Sequence, residues 1–434
     1  MLQKTLQNLN IAKLNEMQEA SLKAFQKPGD LVLLSPTGSG KTLGFLLPIL
    51  QALDPKIEGV QAMVIAPSRE LAIQIEQVFR QMGTGFKVSC CYGGHLVKTE
   101  ENNLTETPSV IIGTPGRLAF HVRKQNFDPA TVKILILDEF DKALEFGFQD
   151  DMAFIIDKLV NVKKRVLTSA TQSIKIPAFT GIENPLRINF LKDELPDKLT
   201  FKAIYSTEND KLEALFRLVC SIGNKAILVF CNHRDAVDRI SEILHRQGII
   251  HDTFHGKMEQ QDRERTLIKL RNGSNQVLIS TDLASRGLDI PEIEYVIHYQ
   301  LPLNENAFVH RNGRTARMHA EGTAYFILKE DEEMPSYITE KPEVETLPEE
   351  TELPEPTEWE TLYISGGKKD KINKTDIVGL LLQKGGLQKE ELGKIEVLDY
   401  MSYAAVKRTK MRNLLATLKG EKLKRNTVKF DIAR

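Results

Sequence analysis

The stretch LVLLSPTGSGKTLGFLLPIL, Leu31 to Leu50, decides the fold. Leu31 to Leu34 is a short apolar run that reads as a buried strand, and Thr42 to Leu53 reads as a helix. Between them stands SPTGSGKT, Ser35 to Thr42. Glycines in such a turn let backbone N–H groups close around phosphate oxygens, and the following helix N-terminus adds a favourable dipole. Ser35, Thr37, Gly38, Ser39, Gly40, Lys41 and Thr42 are therefore the expected phosphate-binding set, although Ser35 replaces the first glycine of the motif. Lys41 would neutralise the β- and γ-phosphates, and the Thr42 hydroxyl would ligate Mg²⁺.

A second half of this site is expected where the apolar run Ile134 to Leu137 ends in Asp138, Glu139, Phe140 and Asp141. Asp138 suits the metal side, holding Mg²⁺ through water, and Glu139 suits the group that orients and deprotonates an attacking water. Alone, DEFD reads equally well as an acidic helix cap; the phosphate loop upstream decides between the two. Further strands are expected at Ala62 to Ala66, Val110 to Gly113 and Arg165 to Thr168, with helices at Gln18 to Phe25, Arg69 to Met82 and Gln149 to Leu159. A second series begins near Lys202, with strands at Ala226 to Phe230, Val277 to Ser280, Tyr295 to Tyr299 and Gly322 to Leu328. Helical stretches lie around Arg234 to Arg246 and Gln260 to Leu270. Strands alternating with amphipathic helices predict parallel sheets, in two similar α/β domains over residues 1–195 and 200–330.

At 434 residues the chain has room for about three domains. Hydrophobic content of 41% and charged content of 27% suit a globular protein, and no apolar run nears the roughly 18 residues of a membrane span. The N-terminal MLQKTLQNLN shows no secretory signal, so a cytoplasmic address without a membrane partner is expected. Cys90, Cys91, Cys220 and Cys231 lack CxxC spacing and read as reduced core thiols. The net charge of −1 hides two opposite blocks. Residues 330–360 hold thirteen Asp and Glu against one Lys, a net of −12, with five interspersed prolines; residues 331–360 read as a linker or extended surface segment. Residues 361–434 hold seventeen Lys and Arg against eight Asp and Glu, a net of +9, which suits a polyanionic partner or, more blandly, a solvated basic surface. Their pattern runs strand, basic loop, helix, strand, strand, a helix near Thr409 to Leu418 and a strand around Thr427 to Ile432. That is the βαββαβ order of a small RRM-like α+β domain.

Several short elements, each weak alone, resemble in joint order the DEAD-box family of superfamily 2 RNA helicases. They are Gln18 in LNEMQ, the phosphate loop, APSRELA with Pro67, Arg69 and Glu70, the pair Gly93 and Gly94, TPGR at Thr114 to Arg117, DEFD, and SAT at Ser169 to Thr171. The second domain adds LVFCN ending at Asn232, HG at His255 and Gly256, Gln260 with Arg263, TDLASRGLD from Thr281 to Asp289, and HRNGRTAR from His310 to Arg317. The resemblance implies two RecA-like domains in tandem, ATP with Mg²⁺ as ligands, and RNA as partner. It assigns Gln18 to the adenine and Asp289 to the ribose. Arg314 and Arg317 become arginine fingers on the γ-phosphate. Pro67, Arg69, Gly94, Thr114, Arg117, Asn232, Thr281 and Arg286 fall where the family grips RNA. Asp141, Ser169, Thr171 and His310 fall where it couples ATP to strand separation. Phe140 stands in place of the family's alanine, where altered packing is expected; Asn15 and Glu16 replace threonine and proline; and Asn312 and Ala316 replace an aliphatic residue and a glycine.

The segment 361–434 resembles the RNA-binding domain of DbpA-type helicases, notably in GGKK at Gly366 to Lys369 and LGKIEV at Leu392 to Val397. By that resemblance the partners are ribosomal RNA and pre-ribosomal particles; a monomer is expected. Lys368, Lys369, Lys371, Lys407, Arg408 and Lys410 are candidate phosphate contacts. Tyr363 and Tyr403 either stack bases or pack within the sheet. The expected activity is RNA-dependent ATP hydrolysis with local unwinding of short duplexes in large-subunit assembly. The rival readings are an ATP-dependent RNA clamp and a DNA-directed helicase.

Overall fold

Strands of four or five residues with no polar alternation are what sheets buried on both faces require. A computed structural model describes residues 2–434 except 37, 95, 171–175, 192–198, 207–209, 283–292, 316–320 and 425. The chain divides near residue 195 into two compact units. The first carries β1 (Leu31–Leu34), β2 (Ala62–Ile65), β3 (Val88–Cys91), β4 (Val110–Gly113), β5 (Ile134–Leu137), β6 (Lys164–Ser169) and β7 (Leu186–Asn189). Their order is β3-β4-β2-β5-β6-β1-β7, with every pair parallel. Alternate residues feed two cores. Leu31, Val64, Ile112 and Ile136 meet helices Glu16–Phe25, Lys41–Ala52 and Arg69–Gln81 on one face. Val32, Met63, Ile111 and Leu135 meet helices Pro115–Arg123 and Gln149–Lys158 on the other.

The second unit repeats the plan with β8 (Leu199–Ser206), β9 (Ile227–Cys231), β10 (His251–Phe254), β11 (Val277–Thr281), β12 (Tyr295–His298), β13 (Gly322–Lys329) and β14 (Glu343–Val344). These seven are also parallel, in the order β10-β11-β9-β12-β13-β8-β14. The sequence pattern leaves five strands unmarked, β8 and the four sheet edges β3, β7, β10 and β14. An edge strand buries less and so carries less apolar signal: β10 reads HDTF and β14 is two exposed residues inside the acidic block. That block is an extended surface segment laid on the second domain. Glu345 pairs with Lys202 at 2.7 Å, Arg217 Nη2 donates to the Leu347 carbonyl at 2.9 Å, and Leu347 itself enters the core.

The C-terminal domain, part of the same unit, comprises β15 (Trp359–Ile364), β16 (Leu392–Val397), β17 (Ser402–Lys407), the small pair β18 (Lys422–Leu423) and β19 (Asn426–Thr427), and β20 (Phe430–Ile432). Its antiparallel order β16-β17-β15-β20 and its helices Lys374–Gln383 and Arg408–Thr417 are those of an RRM-like fold. Leu362, Ile364, Ala404 and Val406 face the helices. Arg408 closes the seam with the second domain, donating to the carbonyls of Thr357 (2.7 Å), Trp359 (3.0 Å) and Ser274 (3.3 Å) and pairing with Glu360 at 2.8 Å.

Arg408→Ala leaves those acceptors without their charged donor and is expected to cost on the order of 1–3 kcal/mol of stability in the second unit. A lowered thermal midpoint with an unchanged salt dependence of RNA affinity would mark Arg408 as a seam residue; a shallower salt slope would mark a phosphate contact.

Candidate functional site

The chemistry-bearing loops of the first unit all leave the C-terminal ends of its strands, where open parallel sheets bind ligands. After β1, the Ser35 N–H donates to the Ser169 carbonyl at 3.1 Å, which ties the phosphate loop to the end of β6. Ser35 Oγ donates to Ser39 Oγ at 2.7 Å, and buried Lys41 donates from Nζ to the Ser35 carbonyl at 2.7 Å. Gly38 (φ +82°) and Gly40 (φ +84°) occupy left-handed backbone. The left-handed backbone favours glycine at Gly40, and a Cβ there would stand 2.6 Å from Gln18 Nε2 and displace that side chain. Gln18 and Asn15 form a reciprocal capping box, and both also reach the loop: Gln18 Nε2 donates to the Gly40 carbonyl (3.3 Å) and Asn15 Nδ2 to that of Ser39 (2.9 Å). Asn15, visible in sequence only as a departure, is thus a structural tie.

Across the sheet, Asp138 is 4% exposed and accepts from Thr168 Oγ1, which in turn accepts from the Glu139 N–H at 3.1 Å. Burial pushes the Asp138 pKa up; the Thr168 hydrogen bond and the Lys41 charge oppose that only in part. A carboxylate whose charge is disfavoured by burial, on the sheet edge that also carries the Thr42 hydroxyl, fits a divalent cation such as Mg²⁺. Glu139 sits at φ +44°, ψ +51°, a conformation costly for a non-glycine residue and often kept at functional positions. Phe140 is fully buried, its ring 6.4 Å from Phe179, so the departure at this position is absorbed as packing.

The loops after β2, β3 and β4 carry the RNA-side candidates. Pro67 precedes helix Arg69–Gln81, Arg69 lies over Gly93, Gly94 has φ +99°, and Thr114 caps helix Pro115–Arg123 while its N–H donates to Cys91 at 3.0 Å. What ties them together is a residue that sequence reading passed over, Glu100, 1% exposed. It accepts from the Tyr92 N–H (2.8 Å), pairs with Arg117 (3.5 Å) and accepts from His121 Nε2 (2.6 Å), whose Nδ1 receives the Asn126 amide (2.7 Å). Cys91, Glu100 and His121 could in principle ligate a metal, their donor atoms lying within 4.8 Å of one another. Here the Glu100 oxygens are already engaged by Tyr92, Arg117 and His121, and burial raises the Cys91 thiol pKa well above its ordinary value.

In the second unit, Asn232 follows β9 and Thr281 ends β11. Arg311 is another residue the motif reading left without a role. It is 1% exposed, binds both Asp282 oxygens (2.6 and 2.7 Å), and donates to Asn232 Oδ1 (2.6 Å) and the Gln300 carbonyl (2.6 Å). Burial, with Arg311 nearby, pushes His298 down to about 3, so it is a neutral member of this cluster. Arg314 is 2% exposed, and His310 lies in helix Glu305–Asn312 beside Arg311. Thr37, Thr171, Arg286, Asp289 and Arg317 lie outside the described residues. In the C-terminal domain Lys368 and Lys369 are exposed, whereas Lys407 and Lys410 pair with Glu358 (2.7 Å) and Glu391 (2.8 Å). Arg408 is engaged at the seam, and of the two readings of Tyr403 the structure has it packed, 2% exposed, against Ile268 of the second domain.

A phosphate loop and a buried acidic strand end on one parallel sheet, followed by a second sheet of the same plan, define a nucleotide-driven tandem RecA-like protein. Residues 15–178 match the DEAD/DEAH box helicase family, 210–319 the helicase conserved C-terminal domain, and 361–432 the DbpA RNA binding domain. ATP-dependent RNA helicase DbpA of Escherichia coli (strain K12) is 31% identical over 440 residues, covering 99% of this chain and 96% of that protein. ATP-dependent RNA helicase eIF4A of Mycosarcoma maydis is 36% identical, covering 71% of this chain and 77% of its own. Among solved structures, S. cerevisiae Dbp5 bound to RNA and ADP BeF3 matches with TM-score 0.66 and 26% identity, over 76% of this chain and 87% of that one. DEAD-box helicase Mss116 bound to ssRNA and UDP-BeF matches with TM-score 0.68 and 25% identity, over 76% and 72%. The chain belongs to the DEAD-box family of ATP-dependent RNA helicases, and within it is DbpA-like.

Two substitutions test the site. The raised pKa of Asp138 means that its ionised form, present at neutral pH, costs the fold stability that its protonated form at low pH does not. Asp138→Asn is therefore expected to raise the thermal midpoint without nucleotide or Mg²⁺, by about 2–4 °C per kcal/mol relieved, while abolishing ATPase activity; an unchanged or lowered midpoint would refute the burial cost. Glu100→Ala is expected to raise the RNA concentration that half-saturates ATPase roughly 10-fold, a loss of about 1.4 kcal/mol, with a much smaller change in turnover at saturating RNA. Glu100→Gln, which keeps an acceptor for Tyr92, should stay within about 3-fold. A fall in turnover with an unmoved RNA dependence would show that Glu100 serves stability alone.

Proposed function

We propose that this helicase binds ATP and single-stranded RNA cooperatively, separates short duplexes locally, and does so on large-subunit ribosomal RNA during ribosome assembly in the cytoplasm, as a monomer. The observation that carries this reading is a complete helicase core and a DbpA RNA binding domain in one chain, similar over nearly its whole length to a DbpA helicase.

The roles follow from the residues. Loop N–H groups from Gly38 to Thr42 and the Lys41 ammonium hold the phosphates. Gln18 offers a paired donor and acceptor to the adenine edge. Thr42 and Asp138 would hold Mg²⁺, which would supply charge neutralisation at the phosphates. Glu139, at its left-handed backbone position, is the group that would accept a proton from the attacking water. Arg314 and Arg317 would contribute positive charge to the transferring group as arginine fingers, an effect worth roughly 10³–10⁵ in rate. Arg69, Thr114 and Arg117 from the first unit and Asn232 and Thr281 from the second grip the RNA backbone, which makes binding largely independent of sequence. Preference for ribosomal RNA then comes from the C-terminal domain, which raises the local concentration of neighbouring duplexes.

Steady-state ATPase of the full chain, with no RNA, a generic single strand and a large-subunit ribosomal RNA fragment, tests the reading. Half-maximal stimulation by the ribosomal fragment is expected at a concentration at least about 10-fold lower than for the generic strand, as tethering predicts. Equal stimulation by both would leave a general RNA helicase with a nonspecific basic domain.

A further inference from the structure

An RRM-like sheet usually leaves one face open, where aromatic side chains stack unpaired bases. In this chain that face is closed. Thr361, Tyr363, Tyr403 and Glu396 share it, because Tyr363 and Tyr403 are directly paired across β15 and β17, and Glu396 and Tyr403 across β16 and β17. Tyr403 (2% exposed) and Ala433 (6%) pack on Ile268 (1%) of helix Gln260–Arg271, with Tyr363 alongside. Arg271 clamps Glu396 with two 2.9 Å bonds, and Ser274 Oγ lies 2.5 Å from Thr361 Oγ1, itself 1% exposed. The two tyrosine rings, 5.7 Å apart, are used to dock one domain on the other.

A different edge of the domain has the chemistry the sheet face has lost. Tyr400, in the turn joining β16 to β17, is 61% exposed. The GGKK loop is fastened to that turn: the Lys368 N–H donates to Leu398 (2.9 Å) and the Lys369 N–H to Asp399 (2.8 Å). A Cβ on Gly367 would fall 2.3 Å from the Leu398 carbonyl, so only glycine allows this approach. The far side of the loop is held as well, by Lys424 Nζ on the Lys371 carbonyl (2.6 Å) and Asn426 on that of Asp370 (2.8 Å). Lys368 and Lys369 are exposed and, among the described residues, have no carboxylate partner, unlike Lys407 and Lys410. A rigid loop presenting two free ammonium groups beside an exposed aromatic ring is preorganised for a phosphate backbone with one unstacked base.

We propose that the C-terminal domain reads RNA at this edge, with Tyr400 stacking an unpaired base and Lys368 and Lys369 holding the flanking phosphates, while its sheet face stays docked on helix Gln260–Arg271. This rests on the reading that the domain binds structured RNA. It follows that the RNA-reading edge moves rigidly with the second helicase domain.

The test is fluorescence anisotropy of the full chain, without nucleotide, on a labelled large-subunit ribosomal RNA hairpin with an unpaired loop and on a generic single strand. Tyr400→Ala is expected to weaken hairpin binding about 10-fold, within the range of a single base–aromatic stack, and Tyr400→Phe by less than about 2-fold. Lys368→Ala with Lys369→Ala should weaken it about 10-fold and lower the salt slope by about 2. Ser274→Cys with Thr361→Cys locks the seam on oxidation; the locked form should bind within about 2-fold of its reduced form if the edge reads RNA. A loss of about 10-fold or more on locking would mean the sheet face must open to RNA, and would overturn the proposal. So would tight wild-type hairpin binding that neither the Tyr400 nor the lysine variant weakens; that result would leave the tethering reading intact. A wild-type chain that binds the hairpin no better than the generic strand would sink both.

Discussion

A parallel sheet buried on both faces leaves its chain only one kind of place for polar chemistry, the loops at the strand ends. In the first unit this constraint gathers the phosphate loop after β1, Asp138 after β5 and Ser169 at the end of β6 along one edge, although they are far apart in sequence. The same constraint places the Arg69, Gly94 and Thr114 loops after β2, β3 and β4 on that edge. Because the strand order interleaves early and late strands, nucleotide-side and RNA-side loops become neighbours on one rigid body, which is the physical precondition for coupling them.

Within that frame, buried charges fix the loops in place. Glu100 joins the Tyr92 loop to helix Pro115–Arg123, and Arg311 joins Asn232, Gln300 and Asp282 in the second unit. Charges so buried are costly unless paired, and breaking such a pair costs more than forming it gains. The loops they hold are therefore strongly specified in position. Asp138 runs the other way: its burial is only partly offset, and its strained neighbour Glu139 adds to the cost. Stability given up at the catalytic edge is what a site built for a cation and a nucleotide is expected to show.

The second unit shows how a polar segment can act as structure. The acidic block contributes β14, an ion pair to Lys202 and a buried leucine, and so delivers the C-terminal domain to a defined place on helix Gln260–Arg271. Its carboxylates serve the second domain and the seam, through Glu345 and Glu360, while Glu358 holds Lys407. The seam combines an apolar contact with charged and hydroxyl hydrogen bonds, the composition of an interdomain contact that holds without being a core.

What the sequence by itself determined was everything that depends on local order. The phosphate loop needs strand, glycines and helix in succession, so Leu31 to Leu53 was legible, and the central strands were legible because both their faces are buried. The motif order was enough to name the family, and the βαββαβ pattern foretold the third domain. The tertiary structure alone decided the four edge strands, whose exposed sides carry no apolar signal, and the roles of Asn15, Glu100 and Arg311, which depend on partners up to 79 residues away. It also decided which basic and aromatic residues of the C-terminal domain face outward. Composition shows that Tyr403 and Arg408 are present, but only packing shows that both are consumed at the seam while Tyr400 is not, because exposure is a property of what lies opposite and not of the residue itself.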